Sequence, residues 1–318
     1  MQRALKRAAR LAFVWPQEAA ILFSENRPLT QLPGIGPYLA KQLAHWISTS
    51  PQIPEPPEFR RGFLTLAKAR HILAQHPLWL GEVKCDLQMH TTWSDGAASI
   101  VAMGEASKTL GYRYVAITDH SRGLRIAGGM DEPKLRRQVQ EIDQVNRQFD
   151  GEFHVLRSIE MNLNPNGEGD MSSDSLAGLD LVLGSFHSAL RRTEDQTNRY
   201  LAAIRNPALH ILGHPRGRIY NFRPGLKADW AKVFELAAHL DKAVEIDAFP
   251  DRQDLDIDLL RVARKTGVRI SLGTDAHQPQ QLAFMELALA AAIEAEIPRA
   301  KILNFMPLED LMAWAKNH

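Results

Sequence analysis

One pattern constrains the fold of this chain more than any other: an apolar run that ends in a histidine or a carboxylate, repeated six times. The runs end at His90, His120, Glu160, His187, His214 and the Asp275–His277 segment. In the first run, Cys85–His90, apolar and polar residues alternate with the two-residue period of a strand, which puts Gln88 and His90 on one side. Asp95 follows in a loop and can fold back over them. Six strands that bring nitrogen and oxygen ligands to the same end predict a polynuclear metal centre.

The spacing of these runs predicts a parallel α/β barrel. Strands are expected near 83–90, 113–118, 153–160, 179–186, 208–213, 242–248 and 268–274. Amphipathic helices separate them, for example a helix through Phe149 that Asp131 can cap, with Pro133 in its first turn. Seven βα units favour a closed (βα)7 barrel over an open doubly wound sheet. We find no glycine-rich phosphate loop after a strand, so bound NAD or ATP is not expected.

The residues before the barrel indicate a small helical segment that binds DNA. The stretch from Leu32 to Pro37 reads Leu-Pro-Gly-Ile-Gly-Pro and precedes apolar residues at helical spacing. Gly34 and Gly36 allow a tight turn whose backbone N–H groups can hold a phosphate without reading bases. This stretch resembles a helix-hairpin-helix motif, which implies that Gly34, Ile35, Gly36 and Lys41 contact the DNA backbone independently of sequence. The alternative is an interhelical turn that binds nothing.

Composition and charge divide the chain into three parts. Residues 1–49 carry six Lys or Arg against two Glu, a charge of +4, whereas residues 85–318 sum to −5 within an overall +1. A basic front segment suits a polyanionic partner, and an acidic barrel suits bound divalent cations. Residues 50–58 contain four prolines and predict an extended linker. The expected organisation is a helical DNA-binding segment at 1–49, a linker with a short helix at 50–82, and a barrel at 83–318.

The single cysteine, Cys85, excludes a disulfide framework and a cysteine-based zinc site, and a reducing cytoplasm fits this composition. No apolar run approaches the roughly 18 residues that a membrane span needs, and we expect no membrane partner. The start of the chain does not read as a targeting segment. The sequence does not predict an oligomeric state.

Six stretches resemble the PHP (polymerase and histidinol phosphatase) superfamily of metal-dependent phosphoesterases, and more closely the C-terminal PHP domain of bacterial family X DNA polymerases. These stretches are Asp86–Gly96, Ile117–Ser121, Gly184–Ser188, Gly213–Arg218, Pro250–Leu255 and Thr274–His277. The resemblance implies a distorted (βα)7 barrel with up to three divalent metal ions (Zn, Mn, Mg or Fe) at its C-terminal mouth.

The same resemblance implies nine ligand positions. They fall on Gln88, His90, Asp95, His120, Glu160, His187, His214, Asp275 and His277, of which His90, Glu160, His187, His214 and Asp275 are the expected catalytic set. The family pattern puts Gln88, His90, Glu160 and Asp275 on one metal, Glu160 with His187 and His214 on a second, and Asp95, His120 and His277 on a third. Gln88 stands where most of the superfamily has histidine, and a neutral amide is a weaker ligand.

These features predict a metal-dependent phosphodiesterase that acts on DNA, as a 3′–5′ exonuclease or a 3′-end-processing enzyme using metal-activated water. Arg122, Arg125, Arg216 and Arg218 follow ligand-bearing strands and are candidates to bind the substrate phosphate. A small-molecule phosphatase and a non-catalytic DNA-binding module are the alternatives. Fewer than 90 residues precede the barrel, so we expect no polymerase palm and no DNA synthesis.

Overall fold

Seven parallel strands form the centre of the protein, whose computed structural model describes residues 2–317. The strands are β1 (Cys85–Asp86), β2 (Tyr114–Ile117), β3 (His154–Leu163), β4 (Leu181–Phe186), β5 (Ile211–Leu212), β6 (Ala243–Asp247) and β7 (Arg269–Gly273). Each pairs in parallel with the next, in the order β1 to β7. The predicted (βα)7 barrel is therefore confirmed, with all strand C-termini at one mouth.

Thirteen helices of the described chain surround and flank the barrel. They are α1 (Gln2–Leu11), α2 (Ala19–Ser24), α3 (Pro37–Thr49), α4 (Leu66–Gln75), α5 (Leu78–Glu82), α6 (Ile100–Thr109), α7 (Glu132–Phe149), α8 (Ser173–Leu176), α9 (Thr197–Arg205), α10 (Trp230–His239), α11 (Ile257–Thr266), α12 (Met285–Glu294) and α13 (Leu308–Lys316). As predicted, Asp131 caps α7 by accepting from the backbone N–H of Lys134 at 2.9 Å. None of the described helices combines the length and the apolar character needed to cross a membrane.

The strand β1 is shorter than the predicted 83–90. The carboxylate of Asp86 accepts a hydrogen bond from the backbone N–H of Gln88, two residues further along the chain, at 3.1 Å. It also accepts from the Thr274 hydroxyl. Because that N–H bonds a side chain, it is lost to the strand ladder. The chain beyond Asp86 is still fully buried and continues toward the mouth.

One buried amide closes the barrel between its first and last strands, where the backbone pairing is sparse. The carboxamide of Asn304 donates to the carbonyls of Cys85 and Leu272 at 3.0 and 2.8 Å and accepts from the backbone N–H of Leu272 at 2.7 Å. Nearer the mouth, Met89 and Ala276 form an isolated parallel bridge. Asn304 thus replaces ladder hydrogen bonds that β1 and β7 do not make with each other.

The N-terminal helices have an apolar cluster of their own, built from α1, α2, α3 and the turn before α3. Gly34 in that turn has φ +80°, and a Cβ there would lie 2.5 Å from Leu11 Cδ1. The glycine therefore permits both the turn and the packing of α1 against it. Ile35 is buried in this cluster, and its backbone N–H donates to the Leu32 carbonyl at 3.1 Å. The Ile35 side chain therefore packs within the helical part, and its predicted contact with DNA stays a prediction.

The segment between α3 and α4 joins this helical part to the mouth of the barrel. The Gln253 side chain accepts from the N–H of Leu64 and donates to its carbonyl, both at 2.7 Å, as a neighbouring strand would. The ring of Phe13 packs edge-on against Tyr220 with 4.8 Å between centroids. These contacts bring α1 beside the loops that follow β5 and β6.

Replacing Asn304 with leucine should destabilise the protein by about 3–4 kcal/mol, because Leu272 and Cys85 lose buried partners for three backbone groups. The measurement is urea unfolding followed by far-ultraviolet circular dichroism. Asn317→Leu, at an exposed position near the end of α13, is the control and should leave the midpoint unchanged. Equal midpoints for both variants would contradict the role of Asn304 in closing the barrel.

Candidate metal centre

The carboxylate of Glu160, fully buried on β3, is the centre of the site. Its Oε1 lies 2.7 Å from His214 Nε2 and 3.2 Å from His187 Nε2. Its Oε2 lies 2.8 Å from His120 Nδ1 and 3.6 Å from His90 Nε2. One carboxylate therefore faces histidines from four different strand ends, which is the arrangement of a bridging ligand.

A second group of ligands lies on the other side of the His90 ring. Asp95 Oδ1 is 3.4 Å from His277 Nε2 and 3.6 Å from His120 Nε2. His90 Nε2 is 2.9 Å from Asp275 Oδ1, and its ring stacks between those of His120 and His277 with centroids 4.4 and 4.5 Å away. The structure thus brings together all eight predicted His, Asp and Glu positions.

The grouping of these ligands differs in part from the family pattern. Two sets have ligand atoms within 4.8 Å of one another: His90, Asp95, His120 and His277 form one, and His120, Glu160 and His187 form the other. His120 belongs to both sets, whereas the family pattern gives it to one metal only. Shared ligands of this kind suit several adjacent divalent cations.

The hydrogen bonding of these side chains fits metal ions. Within residues 2–317, His90 Nδ1 and Nε2, His120 Nδ1, Glu160 Oε2, His187 Nε2 and Asp275 Oδ2 are buried without a well-formed hydrogen bond. Several of these atoms lie within 4 Å of an oppositely charged group without forming a hydrogen bond of good geometry. Buried polar atoms are rarely left in this state, and convergent cation coordination is a physical reason for it. Asn162 Oδ1 lies 3.1 Å from His187 Nδ1 and orients that ring.

Gln88, the ninth predicted ligand, is engaged by a buried acid. With its amide nitrogen toward β6, it donates to the two oxygens of Glu245 at 2.5 and 3.0 Å. Glu245 also accepts the backbone N–H of His214 at 2.7 Å. Burial, and then the neighbouring Asp247, raise the pKa of Glu245 well above its ordinary value. Gln88 thus links β1 to β6 behind the ligands, and its role as a ligand stays a prediction.

Arg252 contacts the ligands directly and was not predicted from the sequence. Its Nη1 lies 2.7 Å from Asp275 Oδ2 and 3.7 Å from Asp247 Oδ2. Burial disfavours the charged form of Asp275, but Arg252 and then His90 outweigh it and lower the pKa of that carboxyl. Arg252 lies in the Pro250–Leu255 stretch, one of the six that resemble the PHP superfamily.

The loop that carries Asp95 is held against His90 by Asp119 and by a glycine. Asp119 accepts from the backbone N–H and hydroxyl of Thr91 at 2.8 and 2.6 Å and from the Ser94 hydroxyl at 2.5 Å. A Cβ on Gly96 would lie 2.5 Å from the His90 carbonyl, so the loop bearing Asp95 folds tightly over His90. His214 and Asp275 adopt positive φ values of 23° and 52°. Backbone strain of this kind is often found at functional sites.

The four predicted substrate arginines separate into two pairs. Arg122 and Arg125 are exposed near the mouth, and Arg122 pairs with Glu132 at 3.1 Å. Arg218 is buried, pairs with Asp256 at 2.9 Å and donates to the carbonyls of Arg61 and Gly62. Arg216 bonds the same Asp256 carboxylate. Arg218 therefore joins the linker to the barrel, whereas Arg216 bonds Asp256 and the carbonyl of Pro224. A phosphate contact by either arginine stays a prediction.

Asp95 and His277 each stabilise the charged form of the other. Burial lowers the pKa of His277, but the hydrogen bond with Asp95 outweighs it and raises that pKa from 6.5 to about 9. Burial raises the pKa of Asp95, yet His277 and His120 bring it from 3.8 down to about 2. The histidine contribution to stability is complete below pH 6.5 and is lost as pH rises through 9. The aspartate contribution is present above pH 3.8 and is lost as pH falls through 2.

In metal-free protein, His277→Gln should therefore reduce the loss of stability that the wild type shows between pH 6.5 and pH 9. Urea unfolding in a chelating buffer at both pH values measures this difference. His45→Gln, which removes an exposed histidine on α3, is the control and should retain the wild-type loss. An unchanged pH dependence in His277→Gln would show that the pair does not form.

Comparison with known proteins identifies relatives along most of the barrel. The DNA polymerase/3′-5′ exonuclease PolX of Bacillus subtilis is 38% identical over 240 residues, which cover 75% of this chain and 42% of that protein. A probable phosphatase of Caldicellulosiruptor bescii is 30% identical over 67% of this chain and 87% of its own length. A probable phosphatase of Shewanella sediminis is 31% identical over 70% of this chain and 89% of its own length. The chain thus spans less than half of the first relative.

A solved structure supports the fold. Histidinol phosphate phosphatase from Lactococcus lactis, crystallised with zinc, L-histidinol and phosphate, covers 67% of this chain and 94% of its own, with 17% identity and a TM-score of 0.50. No family model matches the chain. The seven-stranded barrel, the ligands at its mouth and relatives matched over most of their length agree with one another, and the chain belongs to the PHP superfamily of metal-dependent phosphoesterases.

Proposed function

We propose that this protein is a metal-dependent phosphodiesterase that shortens DNA from a 3′ end. The observation that carries the proposal is the Glu160 carboxylate between four histidine nitrogens at 2.7–3.6 Å. The cations would be held by two groups of side chains: Glu160, His187 and His120 in one, and Asp95, His90 and His277 in the other. Bound there, divalent cations would polarise a phosphoryl oxygen and lower the pKa of water.

The protein's own side chains would position the substrate beside these ligands. Arg252 keeps 34% of its side chain exposed while its Nη1 lies 2.7 Å from Asp275 Oδ2. A guanidinium can make paired hydrogen bonds to a phosphate, so Arg252 is placed to hold a non-bridging phosphate oxygen at the mouth. Arg122 and Arg125, exposed nearby, are further candidates for this contact.

The turn before α3 favours DNA over a small substrate. Gly36 caps α3 with an extended backbone, and no atom lies within 4 Å of where its Cβ would be. Lys41 is exposed one turn further along the helix. An open helix N-terminus beside a basic side chain is suited to a backbone phosphate. The relative with exonuclease in its name is also the most identical of the three described above.

Hydrolysis of a small phosphate monoester is the second candidate. It is favoured by the two relatives that are matched over 87% and 89% of their length, both named probable phosphatases. Comparing turnover of a 3′-recessed oligonucleotide with that of p-nitrophenyl phosphate separates the candidates. Preference for the oligonucleotide by kcat/KM supports the exonuclease, and efficient turnover of the monoester alone would reject it.

His214→Ala and His187→Ala should each lower hydrolysis of either substrate more than about a hundredfold, since even outer partners of metal ligands cost up to that factor. The matched control is His239→Ala, an exposed histidine on α10, with wild-type rates expected. Circular dichroism checks that each variant is folded. Wild-type rates in His214→Ala or His187→Ala would remove that histidine from the catalytic set.

Gly36→Val should weaken DNA binding about tenfold by covering the helix N-terminus, the effect of one lost charge-assisted hydrogen bond. Fluorescence anisotropy with a labelled duplex measures it. Gly36 is the informative position, because replacing Gly34 would also disturb Leu11. Gly81→Val on α5, where space is equally open, is the control and should bind as the wild type does. Equal binding by both variants would leave the turn a structural element.

A further inference from the structure

We propose that the groove between α1 and the loops following β5 and β6 holds the single-stranded 3′ segment of the substrate, with bases stacked on its aromatic side chains. This inference rests on the proposed action on DNA and specifies the form of DNA. The groove has a volume of about 580 Å³ and lies between Arg10 and Phe13 on one side and Tyr220, Phe222 and Phe249 on the other. That volume is in the range of small-ligand sites.

The groove lies beside the metal centre. Its barrel side consists of the loops after β5 and β6, which leave the strands at the same mouth as the ligands. The ring of Phe249 lines the groove and packs edge-on against His277, with 6.4 Å between centroids. Arg252, bonded to Asp275, lies with its guanidinium carbon 5.8 Å from the same ring. A strand end held at the metals would therefore continue over Phe249 into the groove.

Phe222 has the exposure that base stacking needs, whereas the other aromatic residues of the groove are half-buried. Phe222 is 58% exposed, an unusual state for a large apolar side chain. The Arg191 guanidinium lies 4.8 Å from its ring centroid. A planar ring beside a cation can take a base on its free face and a phosphate on the cation. Because stacking needs an unpaired base, single-stranded DNA is the fitting occupant.

The charges of the groove complement a phosphodiester chain. Lys6, Ala9 and Arg10 have the i, i+3, i+4 spacing of one face of α1, and they line the groove together with Phe13, which lies two residues past the end of that helix. Lys6 and Arg10 are exposed. Asp251 is the acid among the described residues that line it. Burial raises the pKa of this carboxyl above its ordinary value, and Arg252 and then Arg10 act against that effect. The two cations on α1 against the one acid on the barrel side leave the lining of the groove net positive.

The experiment measures binding of a fluorescein-labelled, hydrolysis-resistant phosphorothioate oligothymidylate to the full-length protein with Mn²⁺ present, by anisotropy. Phe222→Ala should weaken binding roughly five- to 150-fold, the range for one lost base–aromatic stack. An oligonucleotide with abasic sites near the 3′ end should bind the wild type correspondingly less tightly, and Phe222→Ala should bind it no worse than the wild type does. If Phe222→Ala weakened binding of the abasic oligonucleotide as much as it weakens binding of the intact one, the stacking role would be overturned.

Lys6→Glu with Arg10→Glu tests the charges of the groove. This double variant should reduce the magnitude of the slope of log affinity against log salt concentration by about 1.4, the value for two lost phosphate contacts on a single strand. Lys232→Glu with Lys265→Glu makes the same change in net charge on exposed positions of α10 and α11 and should retain the wild-type slope. Equal slopes in the two double variants would overturn the proposal.

The two proposals fail separately. Tight, Phe222-dependent binding without release of nucleotides would reject the exonuclease and keep the groove. Release of nucleotides with binding that is indifferent to Phe222, Lys6 and Arg10 would keep the exonuclease and reject the groove. Melting temperatures equal to the wild type establish that the variants are folded.

Discussion

The site depends on one buried negative charge. Burial opposes ionisation of Glu160, yet His120 and His187 outweigh it and hold its pKa well below the ordinary carboxyl value. A carboxylate can stay charged without water only where positive groups surround it. Metal ions at the same positions would supply that charge more strongly. The geometry of the mouth is therefore explained by the need to neutralise Glu160, and the same need makes it a cation site.

The groups behind the ligands show how the barrel maintains this arrangement. Asp86, Gln88 and Glu245 join β1, β6 and the segment after β7 through buried hydrogen bonds. Gln88 takes part as a partner of Glu245, so the residue at this position contributes to the packing of the barrel. At the base of the same seam, Asn304 supplies the hydrogen bonds that the short β1 does not. Polar groups thus connect the strands from the base of the barrel to the mouth.

The N-terminal helices are connected to this mouth through specific contacts. Gln253 bonds the backbone of Leu64, and Arg218 bonds the carbonyls of Arg61 and Gly62 while its guanidinium lies 3.7 Å from the Phe63 ring centroid. The Arg218 charge is balanced by Asp256. The helical part is therefore positioned so that the basic face of α1 lies beside the loops that follow β5 and β6. Under the proposed function, this placement would let the helical part and the phosphoesterase site contact one strand.

The sequence by itself determined the seven strands, the parallel barrel and the eight His, Asp and Glu positions. These features follow from local periodicity and from the rule that parallel strands end at one face. Only the tertiary structure decided that Arg216 and Arg218 bind Asp256, that Arg252 reaches Asp275, and that Gln88 faces Glu245. An arginine after a strand can reach several carboxylates, and which one it meets depends on how loops distant in sequence fold together. The groove likewise depends on how α1 docks, which no local pattern in the chain encodes.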